Sequence, residues 1–574
     1  MWWYDVLMYI DVVPNRNSRP AVLLREAWRE GKKVKRRTVA NLTDWPEEKV
    51  EALRRVLKGE TAVAPKEAFH IERSLAHGHV EAVLGTIRRI GLDSVIASKR
   101  SRERDLVIAM LAERLLHPSS KLATARLINT TTLAEELSCT DTDEDDLYRA
   151  MDWLLARQEM IEKKLASKHL AERASVLYDV TSSYYEGRTC PLALFGHDRD
   201  GEKGKPIIVY GVLTDQQGCP VAVSVYPGNT GDPTTVPDQV QTLKNRFGLN
   251  RLVLVGDRGM LTNTQIDTLK AHPGIGWISA LRSRAIRNLV EGESLQLSLF
   301  DQTDLAEIVS DDYPDERLIA CFNPLLAEER KRKRQELLAA TEGELSRIAR
   351  QVTRRTRTPL DKAEIGTKVG GVLGRFKVGK HFKVTIGEGT FSFARNELSI
   401  QREEALDGIY VIRTSEPQET LSPEDAVRTY KNLAHVERAF RSLKGLDLLI
   451  RPIWHRTEAH VKAHIFLCLL AYYVEWHMRK SLAPLLFDDE ELPEKRTMRD
   501  AVRPAKASPS ALRKKRTGLT PDGLPVQSFS TLLAELATRC RHRVRIGTDP
   551  AQPSFLRVTD LTPLQARAFE LLRL

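Results

Sequence analysis

From residue 8 to 42, apolar and polar positions alternate with a period of two. The segments "MYIDVV", "AVLLREAW" and "KVKRRTVANL", set around the turn "PNRNSRP", predict two or three strands. "WPEEKVEALRRVLKGE" then shifts to helical spacing. From about 80 to 175 the apolar residues recur at helical intervals, as in "RDLVIAMLAERLLHP" and "DEDDLYRAMDWLLARQEMIEKKLASKHL"; the latter opens with the acidic residues that a helix N-terminus favours. At 175 the period returns to two. "SVLYDVTSSYYEG", "KPIIVYGVLTD" and "CPVAVSVYPGNTGD" read as a meander of three strands, with turns at Gly218 and at Gly228–Asp232. A helix ("TTVPDQVQTLKNRFG"), the strand "RLVLVGDRG", a second helix over about 262–272 and the strand "GWISALR" follow. Meander first and alternation afterwards predict an α/β domain, a mixed sheet with helices on its faces.

More than a hundred residues separate "GWISALR" from the next strand, "DGIYVIRTS" at 407–415. That is too long for a loop and predicts an inserted domain. Its stretch 330–357 holds ten Lys/Arg against three Glu, a net of +7, and "GRFKVGKHFKVTIGEGTFSFARN" then alternates as strands. Lys and Arg beside phosphates release counterions, so Arg354, Arg355 and Arg357 are candidate DNA contacts, set against a solvated helix face. "SPEDAVRTYKNLAHVERAFRSLKG" (422–445) is predicted as one helix, with Ser422 as N-cap and Pro423 at the first position. "IFLCLLAYYV" (465–474) is too short to span a bilayer and reads as a buried helix. "LRKKRTGLTPDG" reads as a basic linker and "FSTLLAELATRC" as a helix. The expected organisation is a β-rich segment (1–75), a helical segment suited to DNA ends (76–174) and a core in two parts (175–282 and 406–480). A basic insertion (283–405) interrupts that core, and a C-terminal helical region suited to dimerisation (481–574) ends the chain.

Composition narrows the class. With 574 residues, 42% hydrophobic and 29% charged, the chain has material for several cores. Its 88 Lys+Arg against 77 Asp+Glu give +11, which favours an anionic partner. Six scattered cysteines without a CxxC pair exclude a disulfide framework and a zinc ribbon, and fit a reducing cytoplasm. "MWWYDVLMYIDVV" lacks a basic leader and a cleavage site, and Met8 is an alternative start. No membrane partner is expected.

Candidate chemistry begins with acids where a buried strand should have none. Asp179 interrupts "SVLYDVT", and Asp257 ends "RLVLVG" beside Arg258. A buried carboxylate is costly unless it is paired or meets a cation. Each acid alone reads equally as a turn cap or an Asp–Arg pair. On the 422–445 helix Tyr430, Glu437 and Lys444 recur every seven residues, with Arg441 close to their stripe, while Val427, Leu433, Val436, Phe440 and Leu443 form the apolar face. That spacing also suits a plain solvent face. "HVKAH" puts His460 and His464 at i,i+4, but lacks the Glu of a zinc-protease helix, so packing or DNA contact is expected of them.

The blocks "YDVTSSYYEG", "GNTGD", "VGDRGM" and "YKNLAHVERAFRSLKG", in this order, resemble the signatures of bacterial DDE transposases of the insertion-sequence 4 superfamily, most closely the insertion-sequence 1634 group. The resemblance implies a ribonuclease H-like core. Its first acid lies on the first strand (Asp179), its second ends the fourth (Asp257), and its Glu stands on a later helix (Glu437). All three are implied as catalytic metal ligands for Mg²⁺, with Mn²⁺ as a substitute. Hard cations take oxygen ligands, and two ions ~4 Å apart serve attacking and leaving oxygens in phosphoryl transfer. The family's helix signature is Tyr, two residues, Arg, three residues, Glu, six residues, Lys. Here Tyr430, Glu437 and Lys444 match it and Leu433 departs from the Arg, leaving Arg438 or Arg441 as stand-ins for its DNA contact. The resemblance further implies cleavage of inverted-repeat ends in double-stranded DNA, joining to target DNA, a homodimer on DNA, and a bacterial cytoplasmic, nucleoid-associated location. Alternatives are a ribonuclease H-like nuclease without strand transfer and a retired transposase that only binds DNA.

Overall fold

A computed structural model describes residues 7–574 except 17, 60–68, 496–497 and 548–550. Residues 1–6, part of the stretch read for a leader, lie outside the described residues. The chain divides into two compact units, residues 1–75 with 540–560 and residues 76–539 with 561–574.

In the first unit, β1 (Leu7–Val13), β2 (Ala21–Glu30) and β3 (Lys33–Asn41) form the antiparallel meander that the alternation predicts. The helix Glu47–Leu57 follows, with two acids in its first turn and Arg54 and Arg55 in its last. β4 (Phe69–Ala76) belongs to a second sheet with the distant strands Cys540–Ile546 and Ser554–Val558. Arg545 pairs with Glu72 at 3.0 Å, and Ser74 Oγ meets His542 Nδ1 at 2.8 Å. The C-terminal region was expected to be all helical. These two strands correct that reading, because their partner lies far upstream, Ser74 standing 468 residues before His542, and local periodicity does not reveal it.

The second unit opens with helices, among them Gly78–Arg89, Arg102–Leu116, Glu144–Leu155 and Gln158–His169. Every side chain from Asp105 to Leu115 is buried, as in a helix enclosed on all faces. The central sheet follows: β5 (Ser175–Tyr184), β6 (Ile207–Thr214), β7 (Pro220–Pro227), β8 (Leu252–Val255), β9 (Ile275–Ala280), β10 (Leu305–Ile308) and β11 (Arg317–Phe322). The hairpin β12 (Phe382–Gly387) and β13 (Thr390–Arg395) stands apart, and β14 (Ile409–Thr414) rejoins the sheet. Its order is β10-β11-β14-β9-β8-β5-β6-β7. Within it β7-β6-β5-β8-β9 is a 3-2-1-4-5 arrangement in which β5, β8 and β9 are parallel and β6 is antiparallel. This is the expected ribonuclease H-like core. β8, buried at every position, lies between the other two parallel strands.

The insertion differs from its expected bounds of 283–405. β10 and β11 extend the central sheet and share a core with Leu281, Ile286 and Leu289. A separate core of Leu338, Leu345, Ile348, Val352, Ile365 and Val369 belongs to the helices Pro324–Arg354 and Lys362–Phe376. The supposed linker is also corrected. Ser508 caps a helix over Pro509–Thr517, and buried Lys514 donates to the carbonyls of Ala483, Leu486 and Asp488 at 3.0, 3.3 and 3.3 Å. Pro at the first position, a Ser cap and a buried ammonium with three acceptors hold as a helix what composition read as solvated. "IFLCLLAYYV" is buried within Glu458–Leu482, and among the described residues no helix is long and apolar enough to cross a membrane.

Candidate active site

Ligand sites in such sheets form beyond the carboxyl ends of parallel strands; Asp257 lies just past the end of β8, while Asp179 lies within β5. β5 and β8 pair in parallel with Leu177 opposite Val255. Asp257 comes two residues after Val255, past the last paired residues, as Asp179 comes two after Leu177, and the charge of Asp257 acts on Asp179. Asp179 Oδ1 accepts from the Val180 amide at 2.8 Å. Burial pushes the Asp179 carboxyl up to about 7; the Val180 hydrogen bond opposes this, and the negative charge of Asp257 adds to it.

Asp257 is more exposed because β8 has ended. Its Oδ1 accepts from the amides of Gly259 and Met260 at 2.9 and 2.7 Å. The "DRG" triplet therefore folds back on its own carboxylate. A Cβ on Gly259 would stand 3.3 Å from both Asp257 oxygens, closer than side chains usually pack.

The third acid arrives on a helix. Ser422 caps it as expected, accepting from the Asp425 amide at 3.1 Å. The single helix expected over 422–445 is two, Pro423–Lys431 and Leu433–Lys444, divided at Asn432. There Asn432 N donates to Thr429 O and His435 N to Asn432 O, at 3.1 and 2.8 Å, so three-residue bonds replace the four-residue ladder. The second helix packs on β5 through Val436, Ala439, Phe440 and Leu443, which leaves Glu437 exposed. Phe440 meets Tyr210 of β6 edge to face at 6.2 Å.

Tyr430 reports the convergence of all three acids. Burial pushes its phenol up to about 12, and the charges of Asp257, Asp179 and Glu437 act in the same direction while Arg258 opposes them. The three carboxylates do not all lie within 4.8 Å of one another. The donor set is entirely hard carboxylate oxygen, which suits a divalent cation of the magnesium type.

The candidate DNA residues divide into two groups. Arg258, Arg438, Arg441, Arg354, Arg355 and Arg357 are exposed. Arg258 also lines a cleft of about 570 Å³ with Arg287, Arg330, Lys333, Lys377 and Lys380, and so connects the acids' end of β8 to the insertion. Lys444 is mostly buried and donates to Asp200 Oδ1 at 2.8 Å, and Arg451 pairs with the same oxygen. Burial holds the Lys444 ammonium below its ordinary value. Leu433 is buried in the core. His464 is buried too, its Nε2 3.0 Å from Ile450 O, and His460 stacks on Tyr148 at 4.8 Å, so both are packing residues here.

Sequence reading gave no role to Arg199, Asp200, Asp232 or Arg451. Arg199 reaches both oxygens of Asp232, one at 2.5 Å, and both groups act on the charge of Asp179. The available signal was the charge-dense "HDRDGEKGK" after β5 together with the Asp of "GNTGD".

Residues 186–474 match the family model "Transposase DDE domain", a span that includes Asp257 and Glu437 and begins after Asp179. The chain belongs to the DDE transposases, and residues 10–68 match "IS1634 family transposase, N-terminal domain". It is thus an enzyme of DNA cleavage and strand transfer, in a family that uses divalent metal ions. Among solved structures it is similar to a piggyBac transposase synaptic complex with hairpin DNA, at 10% identity and a TM-score of 0.34, over 80% of this chain and 82% of that one. No curated protein matches it.

Proposed function

We propose that Asp179, Asp257 and Glu437 are the catalytic acids, holding Mg²⁺ (or Mn²⁺ in its place) and cutting the inverted-repeat ends of an insertion sequence before joining them to target DNA. The place of Asp257 just past β8, where its charge acts on Asp179 in the adjacent strand β5, carries this reading, together with the Glu437 helix packed on β5. When bound, the metal neutralises charge on the attacking and leaving oxygens. The protein's own part is placement. Asp179 is held rigidly inside the sheet by its neighbour's amide, Asp257 is oriented by two backbone amides, and Glu437 is presented by a helix fixed through its apolar face. A preorganised site of this kind makes no large rearrangement at the moment of reaction.

Arg258, Arg438 and Arg441 lie along the phosphates beside the cut, and the cleft shared by Arg258, Arg330 and Lys333 leads the duplex to Arg354, Arg355 and Arg357. Lys444 and Arg451 together place two cations on one carboxylate, so the Asp200 cluster keeps a net positive charge toward the strand. Tyr430 stacks on, or hydrogen-bonds to, that same strand. The working form is a homodimer that pairs two element ends, in the bacterial cytoplasm beside the nucleoid.

The test is metal-dependent cleavage of a duplex carrying the element's end. Asp179→Asn, Asp257→Asn and Glu437→Gln should each abolish nicking and strand transfer while end binding persists in gel shift. Full activity in any one of them removes that residue from the triad.

A further inference from the structure

A second cluster of donor atoms lies away from the acids. His169 is the last residue of the helix Gln158–His169, Cys219 sits in the turn between β6 and β7, and His477 lies on the helix Glu458–Leu482. One donor atom from each falls within 4.8 Å of the other two, and His169 Nε2 stands 3.9 Å from Cys219 Sγ. We infer that His169, Cys219 and His477 form a structural zinc site that joins these three elements.

Three observations carry the inference. His477 Nε2 is buried with no hydrogen-bond partner, although buried polar atoms are otherwise nearly always satisfied. Next, the turn that presents Cys219 is built to a fixed shape. Asp215 Oδ1 accepts from the amides of Gln217 and Cys219 at 2.8 and 2.9 Å, and Gly218 takes φ +84 where an added Cβ would come 2.6 Å from that of His435. Third, the donors form a borderline set of one thiolate and two imidazoles, which is zinc's preference. Tetrahedral zinc with ordinary bond lengths sets its donors about 3.3–3.6 Å apart. The 3.9 Å pair is nearly there, and small side-chain rotations close the rest.

The cluster's surroundings are compatible with a dication. Lys168 is turned to Ile90 O at 2.6 Å, Lys480 to Gln217 Oε1 at 2.8 Å and Arg89 to Ser481 Oγ at 3.3 Å, so each nearby cation has another acceptor. Cys219 is fully buried, and ionising it on the metal supplies one compensating negative charge. Three protein donors leave a fourth position. Tyr473 Oη, hydrogen-bonded to His169 Nε2 at 2.8 Å, would give up that bond when the nitrogen takes the metal and would bond instead to a water at the fourth position. The competing account is a thiol and two rings that merely pack, with His477 edge-on to Tyr473 at 4.6 Å and to Trp476 at 4.9 Å. Packing gives no partner to the His477 nitrogen.

The experiment uses the full chain, stripped with a chelator and then given Zn²⁺ alone. Elemental analysis should find one more zinc per chain in the wild type than in Cys219→Ser. His477→Ala should weaken zinc by at least the roughly 10–100-fold that loss of an outer-shell partner costs. Co²⁺ in place of zinc should give a thiolate-to-metal charge-transfer band in the wild type that Cys219→Ser lacks. Asp179→Asn should keep both zinc and that band, which separates this site from the acids. Circular dichroism of the stripped proteins checks that the variants are folded, and the cobalt spectrum of the wild type needs no variant at all. A wild type that takes up no zinc, a cobalt complex without the thiolate band, or Cys219→Ser binding zinc as tightly as wild type would each overturn the site.

Discussion

Asp179→Asn should make the metal-free protein more stable while removing its activity. The wild-type carboxyl is held at about 7 by burial, against an ordinary 3.8. That difference corresponds to about 4 kcal/mol of cost whenever the group is ionised in the unfolded chain and the pH is at or above 7. Allowing for residual water in the site, the expected gain is about 2–4 kcal/mol. The sign follows from which state holds the proton. Below about pH 4 both states are protonated and Asp179 costs nothing. As pH rises toward 7 the unfolded chain releases its proton and the folded one keeps it, so the fold loses stability, and above 7 the loss is complete. The amide does not ionise, and its oxygen can still accept from the Val180 amide as Asp179 Oδ1 does. Urea denaturation of wild type and Asp179→Asn from pH 4 to 8, without divalent metal, should therefore give curves that coincide near pH 4 and separate steadily up to pH 7. Millimolar Mg²⁺ at pH 7.5 should narrow the gap by stabilising the wild type alone. A difference that does not change between pH 4 and 8, or an Asn variant less stable than wild type at pH 8, would refute the argument from burial.

Three further outcomes follow from the cations and the ring around the acids. Lys444→Ala should slow cleavage and loosen the DNA complex, and should cost about 1–3 kcal/mol because buried Asp200 loses one of its two paired cations; the double variant with Asp200→Asn should regain stability but not cleavage, and recovery of both would make the pair purely structural. Charge reversal at Arg354, Arg355 and Arg357 should make the slope of log affinity against log salt shallower by about 1–3, at roughly 0.9 per lost phosphate contact, and an unchanged slope in filter binding would leave these residues as solvated surface. Tyr430→Phe should bind DNA more tightly than Tyr430→Ala if the ring stacks on the strand; equal loss in gel shift would assign the effect to the hydroxyl.

The sequence by itself determined the elements whose cause is local. The run "SVLYDVTSSYY" read as a strand from its β-branched and aromatic residues, and the charge at Asp179 stood out within it as a candidate. "RLVLVGDRG" likewise announced both a buried strand and an acid at its tip, since its four apolar residues end where the Gly-flanked turn begins. Ser422 and Pro423 set the start of the helix Pro423–Lys431, which precedes the Glu437 helix, through backbone chemistry that needs no tertiary partner. The order of the four signature blocks pointed to the family because spacing along a chain survives without coordinates.

What depends on partners far along the chain was decided only by the tertiary structure. The break at Asn432 divides a run of continuous helical spacing, because the two halves pack on different parts of the sheet. Pairing of β4 with strands beyond residue 540 has no local signal, nor does the capture of Lys444 by Asp200, which turns an apparent solvent-facing lysine into a mostly buried one. His169, Cys219 and His477 lie 50 and 258 residues apart in sequence, so no ligand spacing marks them; only the folding of a helix end, a turn and a second helix against one another brings their donor atoms within 4.8 Å. Periodicity reports which face of an element is apolar, and the choice of what covers that face belongs to the packed chain.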